Sequence, residues 1–323
     1  MKVAVLGAGA IGGFLGARLA RAGADVVLIA RGPHLQAMKH SGLRVIEAEG
    51  DWTVRVEATD DFAAMRDADA VFVTLKAHGL PPVAERLASN LGGATAVVSA
   101  QNGIPWWYFQ RHGGELEGIH LETVDPGGEV ARVIDPARVI GCVVYPATSL
   151  VSPGVVRHVE GERFSLGELD GQGSARSLEL SRTLAGAGLK APVQPKIRAE
   201  LWLKLLGNAV FNPLSALTRA QLSEIAGSPL VAAVVRAAMA EVDAVAGGVG
   251  IEISVSIDQR IKGAARVGAH KTSMLQDLEA GRPMEIDALT GSVVELGDRL
   301  GVPVPHLRTL YATVKLLQER SVG

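Results

Sequence analysis

The stretch Val3-Ala4-Val5-Leu6-Gly7-Ala8-Gly9-Ala10-Ile11-Gly12 constrains the fold more than any other part of the chain. A short apolar run rich in valine ends in Gly-x-Gly-x-x-Gly. Ile11, Phe14, Leu15 and Leu19 then recur at helical spacing until Gly23. Residues 26–30, Val-Val-Leu-Ile-Ala, form a second apolar run. Strand, glycine turn, helix and strand over residues 2–30 spell one βαβ unit, with parallel strands and a right-handed crossover. In that setting each glycine has a mechanical purpose. The first permits a tight turn, the second lets a pyrophosphate approach the backbone, and the third lets helix and strand pack closely. The helix N-terminus adds amide donors and partial positive charge. The plain alternative is an ordinary glycine-rich turn.

More buried strands are expected at 70–74, 95–99 and 139–145, apolar on both faces as in a parallel sheet covered by helices. Residues 155–167 alternate around Gly161 and read as a hairpin at the sheet edge. After Pro192 and Pro195 the texture becomes helical, with helices expected at 196–212, 229–246, 255–267, 285–300 and 306–320. The expected fold class is therefore α/β: a parallel-sheet domain over 1–194, then an all-helical domain over 195–323. A ligand is expected in the cleft between them, beyond the carboxyl ends of the strands.

Composition removes several function classes. With 323 residues, 48% hydrophobic and 20% charged, the chain is not intrinsically disordered. Its 32 Lys+Arg against 34 Asp+Glu, without a basic run, argue against nucleic acid as a partner. Cys142 is the only cysteine, so an intramolecular disulfide and a multi-cysteine metal site are excluded, and no metal is expected. No uninterrupted apolar stretch of about 18 residues exists to span a membrane, and the opening residues do not form a secretion signal. A cytoplasmic location is the default.

The residue after the second strand bears on the cofactor. A carboxylate there would accept from ribose hydroxyls, but this chain has Arg31, whose guanidinium suits a 2′-phosphate. That points to NADP(H), with a solvated strand-end arginine as the plain alternative. Lys76 and Asn102 follow the next two expected strands, on the side facing such a cofactor; either is equally readable as a turn residue.

Lys204, Asn208 and Asn212 are spaced i, i+4, i+8, along one stripe of a helix. Polar groups in so apolar a helix need partners, and an anionic substrate would provide them. Lys204 is then placed to donate a proton to an oxygen gaining charge. The structural alternative is a snorkelling lysine with asparagines near a helix end, Asn212 preceding Pro213. Ser273 with Asp277, and Glu285 in the next helix's first turn, form a second polar cluster with equally structural readings as N-cap and dipole partners.

Together these motifs resemble the ketopantoate reductase (2-dehydropantoate 2-reductase) family: Gly7–Gly13, Arg31, Thr74-Leu75-Lys76-Ala77, Gln101-Asn102-Gly103, Lys204-Leu205 with Asn208 and Asn212-Pro213-Leu214, Ser273–Asp277 and Glu285-Ile286-Asp287. The resemblance implies a Rossmann domain followed by a helical domain like the C-terminal part of 6-phosphogluconate dehydrogenases. It implies NADPH-dependent reduction of 2-dehydropantoate to (R)-pantoate, on the route to pantothenate and coenzyme A. It assigns Lys204 as proton donor, and Asn102, Asn208, Asn212 and Ser273 to the substrate. It assigns Gly7, Ala8, Gly9, Ala10, Ile11, Gly12, Arg31, Lys76, Asn102, Ala147 and Glu285 to the cofactor, with Asp277 supporting the site.

Two stretches depart from the family pattern. Trp106-Trp107-Tyr108-Phe109 is a dense aromatic run in a chain with 4% aromatics. It reads either as a wall tuning which 2-oxoacid fits, or as a packing or self-association patch that would give a homodimer. Thr218–Leu222 shows no counterpart to a further polar substrate contact. Two other functions fit the same features: a related NADP-dependent reductase of another 2-oxoacid, and a non-catalytic NADP(H)-sensing protein.

Overall fold

The computed structural model describes residues 1–268 and 270–321. They divide into two compact units: Met1–Gln101, Phe109–Ile119 and Gly128–Ile197 in the first; Asn102–Tyr108, His120–Gly127 and the chain from Arg198 on in the second. A single cut at 194/195 therefore does not describe the division. Two stretches from the first half of the sequence belong with the helices.

The first unit is built on strands β1 (Lys2–Leu6), β2 (Asp25–Ile29), β3 (Leu43–Ile46), β4 (Trp52–Val54), β5 (Glu57–Thr59), β6 (Ala70–Val73), β7 (Ala96–Ser99), β8 (Val139–Val144), β9 (Ala147–Ser152), β10 (Val155–Glu160) and β11 (Phe164–Glu168). Its helices are α1 (Ala10–Arg21), α2 (Gly32–Ser41), α3 (Ala84–Ala88), α4 (Glu129–Val133) and α5 (Ala175–Gly186). Seven strands form one sheet in the order β11-β8-β7-β6-β1-β2-β5, parallel except for β11 against β8. The apolar residues of β1, β6 and β7 are buried along their whole length, as parallel strands covered on both faces require. Strand order reverses at β1, which has β2 on one side and β6 on the other. The turn after β1 thus opens at the switch point of the sheet, where such folds bind ligands.

The expected hairpin over 155–167 is not formed. β10 pairs with β9 and with β3 in a separate four-stranded sheet, β4-β3-β10-β9, whereas β11 joins the edge of the large sheet beside β8. Gly161 is a crossing between sheets. The true hairpin turn is at Gly154, between β9 and β10. Alternation shows which residues face inward but not which strand is the partner.

The second unit carries α6 (Ile197–Thr218), α7 (Leu222–Gly227), α8 (Pro229–Gly248), α9 (Ile257–Val267), α10 (Ser273–Glu279), α11 (Ser292–Leu300) and α12 (Pro305–Ser321), with a π-helical turn at Asp287–Gly291 leading into α11. No helix among the described residues is long and apolar enough to cross a membrane. The first helix was expected to stop at 212, before Pro213, yet α6 runs to Thr218 with the proline inside it. Pro213 cannot donate to the carbonyl of Ala209, four residues back. That carbonyl instead accepts from the Thr290 hydroxyl at 2.9 Å, supplied by the π-helical turn. Residues 209–216 are all buried, and this packing holds the segment around Pro213 helical. Two smaller expectations also change. Thr272, not Ser273, caps α10, its side chain accepting from the Leu275 amide at 3.2 Å. Glu285 lies just before the π-helical turn, its carbonyl accepting from Leu289 N at 3.1 Å.

Thr290→Val would leave the Ala209 carbonyl buried without its donor. The expected loss is about 1–3 kcal/mol in urea unfolding, whereas Thr290→Ser should stay within about 1 kcal/mol of the parent.

Candidate active site

In the first unit the site begins with the turn after β1. Thr74, at the end of β6, donates through Oγ1 to the carbonyls of Gly7 at 2.8 Å and Leu6 at 3.2 Å. α1 lies directly on this lock: a Cβ on Gly12 would come within 2.4 Å of Thr74 Oγ1 and 2.5 Å of the Gly7 carbonyl. Gly12 is therefore glycine because the fold leaves no room.

Gly9 is different. A Cβ there would meet only the Gly7 carbonyl, at 4.0 Å, and its φ of −73° suits any residue. Packing does not demand glycine at this position. Gly9 is also the N-cap of α1, with no side-chain cap and no acidic residue in the first turn, while Arg18 and Arg21 sit in the last. A helix start without a side-chain cap or a nearby carboxylate, and with an unfilled space over its cap residue, fits a phosphate.

The neighbouring strand ends carry the cations. Arg31 is exposed after β2 and opens α2; Lys76 is half-buried after β6 and opens a short turn at Ala77–Gly79. Both strands flank β1. Ala147, half-buried, begins β9 in the small sheet. No cluster of three or more metal-binding side chains occurs among the described residues.

In the second unit Lys204 Nζ donates to Asn102 Oδ1 at 2.6 Å. An ammonium only donates, so this contact fixes the orientation of the amide. Asn102 is placed by the segment that follows it. Gly103 has φ +83°, and a Cβ there would come 2.1 Å from the carbonyl of Ala288 in the π-helical turn. Ile104 N donates to that same carbonyl at 3.0 Å. Further on, Arg198 Nε donates to the Tyr108 carbonyl at 2.8 Å and Trp202 Nε1 to the Tyr108 hydroxyl at 2.7 Å. Burial pushes the Tyr108 hydroxyl well above the usual phenol range, so it stays protonated. Arg198, Trp202 and Lys204 belong to α6, so one helix grips the segment at both ends.

Trp106, Trp107, Tyr108 and Phe109 are 4%, 1%, 0% and 1% exposed. Rings this deeply covered form no self-association patch, which removes that reading of the aromatic run. Burial this deep fits the packing reading.

The other expected residues are less closely gathered. Asn208 is half-buried and Asn212 5% exposed, farther along the α6 stripe from Lys204. Ser273 is exposed on the first turn of α10. Asp277 is buried and accepts from Arg282 Nε at 3.1 Å. Glu285 is half-buried; beyond it Asp287 accepts from the Tyr311 hydroxyl at 2.7 Å and Lys315 Nζ at 3.0 Å, anchoring the π-helical turn. Sequence reasoning assigned no contact partner to Thr74, a motif residue, or to Tyr108, in the aromatic run, and did not single out Trp202 or Thr290 at all. For Thr74 a signal existed, since a hydroxyl one residue past a strand parallel to β1 falls beside the glycine turn. The partners of Tyr108 and Thr290 lie about 80–95 residues away in sequence, and no local pattern reports them.

A glycine turn at the switch point of a parallel sheet, followed by a helical unit holding a lysine against a carboxamide, places the chain among dinucleotide-dependent oxidoreductases of two-unit build. The narrower assignment comes from comparison. Residues 3–171 match the family model described as Ketopantoate reductase PanE/ApbA, and residues 196–318 match its C-terminal counterpart. The chain belongs to the ketopantoate reductase family. A 2-dehydropantoate 2-reductase of Mesorhizobium japonicum is 49% identical over 318 residues, 98% of either chain. One from Archaeoglobus fulgidus is 31% identical over 97% of either chain. The crystal structure of a PanE/ApbA family ketopantoate reductase from Ralstonia eutropha superposes with a TM-score of 0.86 at 32% identity, covering 100% of both chains. The expected α/β fold with its helical C-terminal part is thereby borne out, and membership of this reductase family implies a nicotinamide cofactor.

The two glycines should separate on mutation. Gly12→Ala is expected to destabilise the protein by about 1–3 kcal/mol through overpacking. Gly9→Ala should leave the unfolding free energy from urea titration within about 1 kcal/mol of the parent and weaken dinucleotide binding, measured by fluorescence titration. Equal stability of the two variants would contradict the packing geometry described for Gly12.

Proposed function

We propose that this chain reduces 2-dehydropantoate to (R)-pantoate with NADPH. The observation that carries the reading is the Lys204–Asn102 pair, 2.6 Å apart on a framework of family motifs. It is supported by the 49% identity to a 2-dehydropantoate 2-reductase along almost the full chain. The reading sets the reaction in the cytoplasm, with which the lone Cys142, buried in β8, is compatible.

NADPH, when bound, supplies a hydride to the C2 ketone carbon. The protein's tasks are to hold the 2-oxoacid and to give the C2 oxygen a proton. Lys204 Nζ is assigned that proton transfer. Its bond to Asn102 Oδ1 restrains a long side chain that would otherwise sample many rotamers, and so pre-orients the donor. Asn102 keeps its amide N–H groups for substrate or the nicotinamide ribose, because its oxygen is taken by Lys204. Asn208, Asn212 and Ser273 are assigned to the polar ends of the substrate, and Glu285 to the ribose. Gly7 through Gly12 take the pyrophosphate, Ala147 gives a backbone contact, and Arg31 and Lys76 face the adenosine 2′-phosphate. Asp277 acts one step back through its pair with Arg282.

The direct test is NADPH consumption with 2-dehydropantoate beside a panel of other 2-oxoacids. The highest kcat/KM is expected for 2-dehydropantoate; a clear preference for another 2-oxoacid would reassign the substrate. Lys204→Ala should lower kcat by about 10²–10⁴-fold, the usual contribution of general-acid help, and leave NADPH affinity nearly unchanged. Arg31 governs cofactor choice. NADPH should be preferred over NADH by at least about tenfold in kcat/KM, and Arg31→Ala should remove most of that preference with little effect on NADH, since one charge-assisted contact contributes about 1.5–3 kcal/mol. Equal use of both cofactors by the unaltered enzyme would contradict this role.

A further inference from the structure

His34 lies outside the family motifs set out above, yet its ring joins three elements assigned to the cofactor. It sits in the first turn of α2, three residues after Arg31. Its Nε2 is 2.7 Å from the carbonyl of Ala8, inside the glycine turn. Its Nδ1 accepts from the amide of Gly154 at 2.9 Å, at the tip of the hairpin that begins with Ala147. Gly154 is pinned from other sides too. Its carbonyl accepts from Arg44 N at 2.9 Å, and a Cβ on it would meet Ala37 of α2 at 2.9 Å.

These two contacts define the protonation state of the ring. A backbone N–H can only donate, so Nδ1 carries no proton. A carbonyl can only accept, so Nε2 carries one. The imidazole is therefore neutral, in the Nε2–H tautomer. Burial acts in the same direction, holding the ring below the ordinary histidine range, while the bond to Ala8 acts the other way.

The place of the Ala8 carbonyl gives this bond its importance. The peptide between Ala8 and Gly9 borders the space above Gly9 that no protein atom fills. Next to a glycine a peptide plane turns over at little steric cost. Turned over, it would swing its carbonyl oxygen towards an anion seated over Gly9 and break the bond from the Gly9 amide to the Gly7 carbonyl. The Ala8 and Gly7 amides are tied to the Ile29 carbonyl at 3.2 and 3.0 Å, and the Gly9 amide donates to the Gly7 carbonyl at 2.7 Å, so the His34 bond to the Ala8 carbonyl secures the second side of the Ala8–Gly9 peptide.

We propose that His34 is a positioning residue for the dinucleotide: as a neutral imidazole it holds the Ala8 carbonyl out of the phosphate's place. The same ring ties the glycine turn to the start of α2, which carries Arg31, and to the turn of the β9–β10 hairpin. The role rests on the proposed NADP(H) use.

The test compares the parent, His34→Leu and His34→Gln in NADPH titrations, in steady-state kinetics and in urea unfolding. Leu has neither donor nor acceptor. Gln carries an acceptor and a donor on one carboxamide, much as the neutral ring does. His34→Leu should weaken NADPH binding and raise its KM by about tenfold or more, with kcat within about twofold, because the proton donor is elsewhere. His34→Gln should recover most of the affinity. Nitrogen-15 NMR of the parent's histidine ring should show the Nε2–H tautomer at neutral pH. A parent that binds NADPH and a folded His34→Leu that binds it equally well would overturn the role of His34 alone. So would an Nδ1–H or cationic ring in the parent, whether or not the leucine variant folds. A parent that binds no NADPH would overturn the cofactor assignment, and this role with it.

Discussion

The close seat of α1 on the ends of β1 and β6 is the constraint on which the glycine turn of the first unit depends. It is set by missing atoms as much as by present ones. With no side chain at Gly12, the helix can rest on Thr74 and the Gly7 carbonyl. That contact turns the helix N-terminus towards the switch point of the sheet, and the strands on either side deliver Arg31 and Lys76 to the same edge. The helix macrodipole then has a direction and a place. Gly9 is glycine for another reason. Only the Gly7 carbonyl approaches the space it leaves, at 4.0 Å, so packing does not require glycine there, and under the proposed function that space admits the dinucleotide.

The helical unit depends on a strap. Asn102 follows β7 by a few residues, yet Asn102–Tyr108 belongs to the helical unit. The strap is held by the π-helical turn through Ala288 and by α6 through Arg198, Trp202 and Lys204. The π-helical turn also completes α6, since Thr290 supplies the donor that Pro213 lacks. One local irregularity thus serves both the helix bearing Lys204 and the strap bearing its partner. π-helical turns often mark functional sites; here the Ala288 carbonyl accepts from the strap as well as from the Ser292 hydroxyl, and the Thr290 hydroxyl donates to α6. The aromatic run contributes as ballast, fixing the strap from its far end.

Much of the fold was legible in the sequence because its signals are local. The βαβ unit, the buried strands at 70–74, 95–99 and 139–145, and most long helices follow from runs and periodicities that the structure reproduces within a few residues. What failed depended on distant partners. The alternation in 155–167 could not show that its halves enter different sheets. Pro213 signalled a helix end because its compensating hydroxyl is 77 residues further along the chain, at Thr290. Adjacent candidates for a cap, Thr272 and Ser273, differ only in which side chain points back to Leu275. The candidate site follows the same rule. Lys204 and Asn102 were each visible as polar residues in apolar settings, but their meeting across 102 residues was not. His34 was invisible because a histidine in the first turn of a helix carries no special spacing.

The central claim is that a nicotinamide dinucleotide seats on the turn at Gly9 and that a 2-oxoacid engages the Lys204–Asn102 pair. Amide hydrogen exchange followed by mass spectrometry, on the protein alone, with NADP⁺, and with NADP⁺ plus pantoate, tests both parts at once. Binding of NADP⁺ should slow exchange in peptides spanning Gly7–Gly16 and Arg31–Leu35. Pantoate should then add protection around Asn102 and along α6 from Lys204 to Asn212. Unchanged exchange over Gly7–Gly16 at saturating NADP⁺ would contradict the account.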